Sequence, residues 1–182
     1  MRILSLAALL VLAVSAVAAW TLREEPDFYL RARYPLEYEH MIRGHAANHG
    51  LDAALVAAVV YVESRFDPHA RSGAGAIGLM QLLPDTAKGI ALRTGGDNFV
   101  VADLRNPEIN IRYGTWYLDQ MRGRYDGDVS LALAAYHAGP GSVDHWREEG
   151  LGIPFGATRD YVDEVERMQA VYADAYSKEL QR

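Results

Sequence analysis

The sequence predicts a mostly α-helical protein, with a single compact domain over residues 36–182 behind an apolar N-terminal segment. Apolar residues recur along this domain at the three- and four-residue spacing of helices, and glycine and proline separate the helical stretches. The sequence shows neither sustained strand-like alternation nor an internal repeat. Hydrophobic residues make up 50% of the 182 residues and charged residues 23%, a balance that favours one buried core.

The first twenty residues have the pattern of an export segment. Arg2 is followed by apolar and small residues up to Trp20, interrupted only by two serines. Small residues near its end offer a cleavage site, yet the run is also about long enough to span a bilayer. Residues 1–20 are therefore predicted to be either a signal peptide or a membrane anchor, and residues 21–35 a polar tether. The domain is expected in the periplasm or cell envelope, free or anchored in the inner membrane through residues 3–20.

Start and stop signals predict six helices in the domain. Asp52, Asn106 and Asp128 each precede a helical pattern and are predicted to stand at its N-terminus. Gly50 and the Gly-Pro-Gly run after Ala138 are predicted to end helices. The predicted helices are Leu36–His49, Ala53 to about Arg65, Pro84 to about Gly95, a segment from Pro107 through Leu118, Val129–Ala138, and about Arg159 to Ser177.

The second predicted helix has almost no polar face, which is typical of a helix buried on all sides. Glu63 lies in its last turn, where poor solvation and the negative end of the helix dipole both raise the pKa of a carboxyl group. A carboxyl that keeps its proton near neutral pH can protonate a leaving oxygen. Glu63 is therefore a candidate general acid. The alternative is a glutamate at the rim of the core, held by Arg65 or Arg71.

No second carboxylate has a comparable apolar setting. Asp67, followed by Pro68, is interpreted as a turn residue, and Asp85 as a residue that caps a helix start. Ordinary glycosidases use two carboxyl groups. If Glu63 works alone, the substrate must supply the missing nucleophile.

Composition and spacing exclude several other classes of function. The net charge of -6 disfavours binding to the phosphate backbone of nucleic acids, and the absence of cysteine excludes disulfides, thiolate metal sites and a lipidated cysteine. Gly73, Gly75 and Gly78 match the spacing of a dinucleotide-binding loop but follow a helix instead of a strand. His45 and His49 share a helix face, which is interpreted as solvated because no third metal ligand is evident. We expect no metal and no cofactor, and nothing indicates an oligomer.

Four short motifs occur in order between residues 63 and 162. They are Glu63-Ser64 with Ser72 and Gly75-Ala76, Gly78-Leu79-Met80-Gln81, Tyr136-His137-Ala138-Gly139, and Thr158-Arg159-Asp160-Tyr161-Val162. In this order and at these separations, the chain from about Leu36 to Tyr172 resembles the catalytic domain of the soluble lytic transglycosylases. The resemblance implies a lysozyme-like fold with a substrate cleft.

The resemblance also implies a substrate and a reaction. Glu63 would protonate the β-1,4 linkage between N-acetylmuramic acid and N-acetylglucosamine in peptidoglycan glycan strands. It would then act as base towards the sugar's own 6-hydroxyl, so that a 1,6-anhydro ring closes without water. An intramolecular nucleophile has a high effective concentration, which fits the missing second carboxylate. The residues implied to bind the sugar are Ser64, Ser72, Gly75, Gly78, Met80, Gln81, Tyr136, His137 and Tyr161.

Two positions depart from the family's motifs. His137 replaces an asparagine in the third motif, and Ala157 replaces a glutamate at the fourth. A cationic His137 close to Glu63 would lower the pKa of the acid. Two other functions remain open: a muramidase that uses water, as goose-type lysozymes do, and a non-catalytic wall-binding module, against which the intact Glu63-Ser64 motif weighs.

Overall fold

The computed structural model describes residues 11–12 and 26–181. It divides into two compact units, residues 1–35 and 36–182. In the first unit, the predicted tether contains the helix α1 (Asp27–Arg33), with an acidic residue in its first turn and basic residues in its last, as the helix dipole favours. Almost all of the predicted export segment lies outside the described residues. Within the described part of the chain, no helix is both long and apolar enough to cross a bilayer.

The second unit is built of helices, as the sequence predicts. β-Sheet pairing in its described residues is limited to two isolated bridges, which join Ile77 to Arg71 and to Leu82. The elements are α2 (Glu39–Asn48), α3 (Ala53–Ser64), α4 (Pro84–Thr94), a 3₁₀-helix (Val101–Arg105), α5 (Pro107–Arg124), α6 (Val129–Ala138), α7 (Pro140–Glu148), α8 (Ala157–Ala175) and α9 (Ser177–Leu180).

Helix α3 runs through the centre of this unit. Every residue from Ala53 to Tyr61 is buried, which confirms the prediction of a helix enclosed on all sides. Its most extensive packing is against α8, and it also contacts α2. At the start of α3, the Asp52 side chain accepts a hydrogen bond from the Ala54 N–H. The helix ends at Arg65, which has a left-handed conformation with φ 51°. The last turn of α3 therefore emerges from the core with Glu63 on it.

The predicted starts of α5 and α6 are confirmed by their hydrogen bonds. The Asn106 side chain accepts from the Glu108 N–H, and the Asp128 side chain accepts from the Leu131 N–H. The start of α4 differs from the prediction: the Asp85 side chain does not cap the helix and instead pairs with Lys88 at 3.0 Å.

The Gly-Pro-Gly run after Ala138 ends α6 as predicted, but it also begins a helix that the sequence analysis missed. Pro140 occupies the first position of α7 and makes no break there. At that position the absent N–H of proline costs nothing, and its fixed φ suits the helix. The chain therefore turns a corner at Gly139, and this corner forms one side of a cavity.

Residues 65–83 form the loop between α3 and α4. Asp67 makes a turn as predicted, since its carboxylate accepts the His69 N–H at 2.8 Å. Gly78 has a positive φ of 82°, and a Cβ atom placed on it would lie 2.2 Å from the Leu104 carbonyl oxygen and 2.3 Å from Asn110 Nδ2. Only glycine fits this close approach, which fixes the loop against the 3₁₀-helix and α5.

Candidate active site

A cavity of about 540 Å³ opens beside the C-terminal turn of α3. Its walls come from α3, the loop before α4, the start of α4, α5, and the corner between α6 and α7. The lining residues are Glu63, Ser72, Ala74, Ala76, Gln81, Leu82, Leu83, Thr86, Tyr117, Tyr136, His137, Ala138, Gly139 and Pro140. Glu63 is the only carboxylate among these described lining residues.

Burial sets the protonation of Glu63. Removal of the carboxyl group from water raises its pKa from 4.5 to about 7, and interaction with the Tyr161 hydroxyl partly opposes this shift. Among the described residues no cation forms an ion pair with Glu63. Arg65 instead places its guanidinium over the ring of Tyr61, 4.9 Å from the centroid. The ion pair with Arg65 or Arg71, which the alternative interpretation requires, is therefore absent from the described residues.

Tyr161 and His137 form a stacked pair next to this carboxyl. Their ring centroids lie 4.5 Å apart with 23° between the planes. The Tyr161 hydroxyl is buried and makes no hydrogen bond of standard geometry with any described residue, but it is close enough to Glu63 to lower the pKa of that carboxyl. Burial lowers the pKa of His137 below its ordinary value of 6.5. At neutral pH His137 therefore carries no charge that could depress the pKa of Glu63.

Tyr136 closes another side of the cavity. Its hydroxyl donates a hydrogen bond of 2.7 Å to the Met80 carbonyl oxygen, and its ring lies 5.4 Å from that of Tyr117, centroid to centroid. Burial, and after it the charge of Glu63, raise the pKa of Tyr136 well above its ordinary value. Tyr136 is therefore a neutral group that connects α6 to the loop before α4.

Two polar residues of the loop also line the cavity. The Gln81 amide nitrogen donates to the Gly78 carbonyl at 2.9 Å and to the Ala70 carbonyl at 3.2 Å, which holds this side chain across the loop. Ser72 Oγ accepts the Ala76 N–H at 3.0 Å. The hydroxyl proton of Ser72, which is exposed, is left to donate to a ligand.

Five of the ten residues singled out in the sequence lie in other positions. Ser64 Oγ donates to the Leu79 carbonyl at 2.8 Å and to the Val60 carbonyl at 3.1 Å, and thereby ties the loop to α3. Met80 is fully buried, and Gly78 packs closely against the 3₁₀-helix and α5. The cavity lining contains none of Gly75, Gly78, Met80 and Tyr161. Their contacts position the lining residues.

Asn110 is a residue of this arrangement that the sequence analysis missed. It is fully buried on α5, and its amide nitrogen donates to the Ile77 carbonyl at 2.9 Å and to the Leu104 carbonyl at 2.8 Å. Its oxygen accepts the Met80 N–H at 2.7 Å. A buried amide that makes three hydrogen bonds, two donated and one accepted, fixes the loop in one place. An asparagine between two isoleucines on an apolar helix face was the available signal.

His45 on α2 and His49 just after its end contact acidic side chains and do not form the solvated face that was predicted. His45 Nε2 lies 2.8 Å from a Glu108 carboxylate oxygen, and His49 Nδ1 lies 3.3 Å from one of Asp119. Both acidic residues belong to α5, so the pairs join α2 to α5. In the described ranges no group of three metal-ligating side chains comes together.

The raised pKa of Glu63 predicts that Glu63→Gln alters stability in a pH-dependent way. Between pH 4.5 and about 7 the folded carboxyl holds a proton that the unfolded one has lost, so the wild type loses stability as pH rises through this window. At about 1.4 kcal/mol per pKa unit, the total is about 3 kcal/mol. In urea unfolding, the wild type and Glu63→Gln should have equal free energies of unfolding at pH 4. At pH 8.5 the variant should be more stable than the wild type by up to about 3 kcal/mol. A difference that is independent of pH would contradict the buried-acid assignment.

Comparison with known proteins gives a consistent result. The sequence model of the family described as "Transglycosylase SLT domain" matches residues 40–150. The soluble lytic murein transglycosylase of Salmonella typhimurium is 32% identical over 155 residues, which are 79% of this chain and 24% of that protein. The membrane-bound lytic murein transglycosylase C of Actinobacillus pleuropneumoniae is 37% identical over 123 residues, 63% of this chain and 33% of that protein.

A solved structure extends the similarity to the fold. An inactive mutant of the lytic transglycosylase Slt from Pseudomonas aeruginosa superposes with a TM-score of 0.76 at 36% identity, over 81% of this chain and 26% of that one. The chain thus spans about a quarter to a third of the length of these relatives. The family match covers well over half of the chain and includes Glu63 and all the other residues that line the cavity. The chain belongs to the family of the transglycosylase SLT domain.

Proposed function

We propose that this protein is a peptidoglycan lytic transglycosylase, which cleaves the β-1,4 bond between N-acetylmuramic acid and N-acetylglucosamine. The observation that carries the proposal is a single carboxyl group in the cavity, with a pKa raised to about 7 by burial. Such a group is protonated in a large fraction of molecules near neutral pH and can still accept a proton later in the cycle. One residue can therefore serve as acid and then as base.

In the first step Glu63 gives its proton to the glycosidic oxygen as the bond to the anomeric carbon breaks. The N-acetylglucosamine unit leaves as an alcohol, and the muramyl N-acetyl group supports the positive charge that remains at the anomeric carbon. Glu63 is now a carboxylate in a poorly solvated position. The Tyr161 hydroxyl, which favours the charged form, stabilises it at this stage.

In the second step the Glu63 carboxylate takes the proton of the muramyl 6-hydroxyl. The 6-oxygen attacks the anomeric carbon and closes the 1,6-anhydro ring, and Glu63 regains the proton with which it began. No water enters the reaction. Since the nucleophile belongs to the same sugar, its effective concentration is high and a second protein carboxylate is unnecessary.

The remaining residues of the site fall into two groups in this proposal. Ser72, Gln81, Tyr136 and His137 bind the sugar, because their side chains border the cavity that holds Glu63. The other group holds these side chains in place through the loop and the end of α3. Its members are Ser64, Gly75, Gly78, Met80 and Asn110.

The same proposal places the protein in the cell envelope, where peptidoglycan lies. The apolar residues 3–20 support export, and relatives include one named as soluble and one named as membrane-bound. Either a cleaved leader or a retained anchor is compatible with these two relatives.

Product analysis tests the proposed reaction. Purified peptidoglycan digested with the protein should release muropeptides whose ends are lighter by one water than hydrolysed ends, as mass spectrometry measures. In water enriched in heavy oxygen, these ends should acquire no label. Labelled reducing ends would instead establish a muramidase, and binding without any release would establish a wall-binding module. Either of these results overturns the proposal.

A further inference from the structure

The corner between α6 and α7 is one wall of the proposed catalytic cavity. Gly139 and Pro140 line the cavity together with Glu63, and His137 precedes them in the last turn of α6. Gly139 has a left-handed φ of 84°, which favours glycine. A Cβ atom at this position would meet nothing within 4 Å, so neighbouring atoms do not confine the corner on that side. Its position therefore depends on contacts made by the residues around it.

Side-chain hydrogen bonds connect this corner to its surroundings. Ser142 Oγ donates to the Ala138 carbonyl at 2.9 Å, which joins the start of α7 to the end of α6. The Tyr125 hydroxyl donates to the Pro140 carbonyl at 3.1 Å. This second bond reaches the corner from a separate helix, because Tyr125 is the residue at which α5 ends. It therefore holds the corner relative to α5, which also supplies Tyr117 to the cavity lining.

The side chain of Tyr125 is itself held in place. It is buried, and the Arg147 guanidinium lies over its ring, 5.7 Å from the centroid. Its hydroxyl is also 3.1 Å from Asp144 Oδ1, so it shares its proton between this carboxylate and the Pro140 carbonyl. The Arg124 guanidinium forms an ion pair with the other carboxylate oxygen of Asp144. These contacts direct the Tyr125 hydroxyl towards the corner.

The protonation states of these groups suit the hydrogen bonds that they make. The hydrogen bond from Arg124 lowers the pKa of Asp144, so this residue is a charged acceptor at neutral pH. Burial, and after it the hydrogen bond to Asp144, raise the pKa of Tyr125, so its hydroxyl keeps the proton that it donates. The contact between Tyr125 and the corner should therefore persist across the pH range in which Glu63 titrates.

We infer that Tyr125 is a positioning residue for strand cleavage, because its hydroxyl holds the Gly139–Pro140 corner where the cavity requires it. The inference rests on the proposed function for the identity of the reaction. Tyr125 does not line the cavity, so it acts through the corner and not by contact with the sugar. Without the hydroxyl the corner can move outwards. Such a movement would displace His137 and admit water beside Glu63.

Tyr125→Phe tests this inference, because it removes the hydroxyl and keeps the ring. Cleavage of soluble glycan strands is followed at a temperature at which circular dichroism shows both proteins to be fully folded. We expect kcat to fall about fivefold, the effect of losing one hydrogen bond worth about 1 kcal/mol. In a carbon-13 NMR titration without substrate, the Glu63 midpoint should move from about 7 towards 4.5. A residue that only stabilised the fold would change neither quantity in fully folded protein.

Ser130→Ala is the matched control. Ser130 lies at the opposite end of α6 and donates to a Glu166 carboxylate oxygen on α8 at 2.5 Å, and neither residue lines the cavity. The variant therefore also loses one hydrogen bond between helices, but away from the corner. It should leave kcat and the Glu63 midpoint unchanged.

Asp144→Asn separates the hydroxyl of Tyr125 from the charge beside it. An asparagine keeps an oxygen that can accept the hydroxyl proton but loses the ion pair with Arg124. Since the bond to the Pro140 carbonyl also remains possible, kcat should stay within about twofold of the wild type.

An unchanged kcat or an unchanged Glu63 midpoint in Tyr125→Phe would overturn the inference. Equal effects of Tyr125→Phe and Ser130→Ala would overturn it as well, and so would an equal loss in Asp144→Asn. Failure of the proposed function is a separate result, since it would appear in the wild type as labelled reducing ends or as binding without release.

Discussion

Replacement of Glu63 by glutamine is expected to reduce strand cleavage by at least about a thousandfold, because in the proposed mechanism one side chain supplies both the acid and the base. Glutamine has nearly the same shape and can still form hydrogen bonds, but it has no proton of suitable acidity. The cavity and its binding residues should remain in place. Release of soluble muropeptides from purified peptidoglycan, followed over time, measures the loss.

Asp67→Asn is the matched control for this prediction. Asp67 is another carboxylate close in sequence, and its role is to accept the His69 N–H in a turn, which asparagine can also do. Cleavage by Asp67→Asn should stay within about twofold of the wild type. Substantial cleavage by Glu63→Gln, or an equal loss in the two variants, would remove Glu63 from the mechanism.

Gly78→Ala is expected to be severely destabilising, by at least about 3 kcal/mol. The added methyl group would combine the cost of a left-handed backbone with overlap against the Leu104 carbonyl and the Asn110 side chain. The loop that carries Gln81 would have to move, so cleavage should fall together with stability. Thermal and urea unfolding, together with the muropeptide assay, measure both effects.

Gly75→Ala isolates the contribution of packing. Gly75 has a similar positive φ of 88°, but a Cβ atom there would meet nothing within 4 Å. This variant should therefore lose only the conformational cost of roughly 1 kcal/mol. If both alanine variants were equally stable, the close approach of Gly78 to the 3₁₀-helix would not be a determinant of the fold.

Much of the fold could be predicted because its signals are local. Capping side chains such as Asp52 and Asn106 satisfy backbone groups within a few residues, and the chemistry of a helix start depends on little else. The burial of α3 could be predicted from its lack of a polar face. The same apolar setting identified Glu63 as the acidic residue with a raised pKa.

Other features depend on contacts that are distant in sequence. The role of Asn110 requires that the loop before α4 lie against α5, which no local pattern indicates. The start of α7 at Pro140 was missed because a Gly-Pro-Gly run is typical of a break as well as of a helix start. Short motifs also do not distinguish residues that line a cavity from residues that position them, as Ser64 and Met80 illustrate.

The state of His137 illustrates a third limit. Its charge determines whether it depresses the pKa of Glu63, and the sequence contains no information on its burial. The structure places its ring against Tyr161, where burial lowers its pKa. The histidine at this position therefore adds no positive charge beside Glu63 at neutral pH.

The central claim is that burial keeps the Glu63 carboxyl protonated up to about neutral pH. The most direct test is a carbon-13 NMR titration of protein labelled at glutamate side-chain carboxyls, with the Glu63 signal assigned by its absence from Glu63→Gln. We predict a midpoint at about pH 7 for this signal. A midpoint near 4.5, the ordinary value for glutamate, would contradict the account.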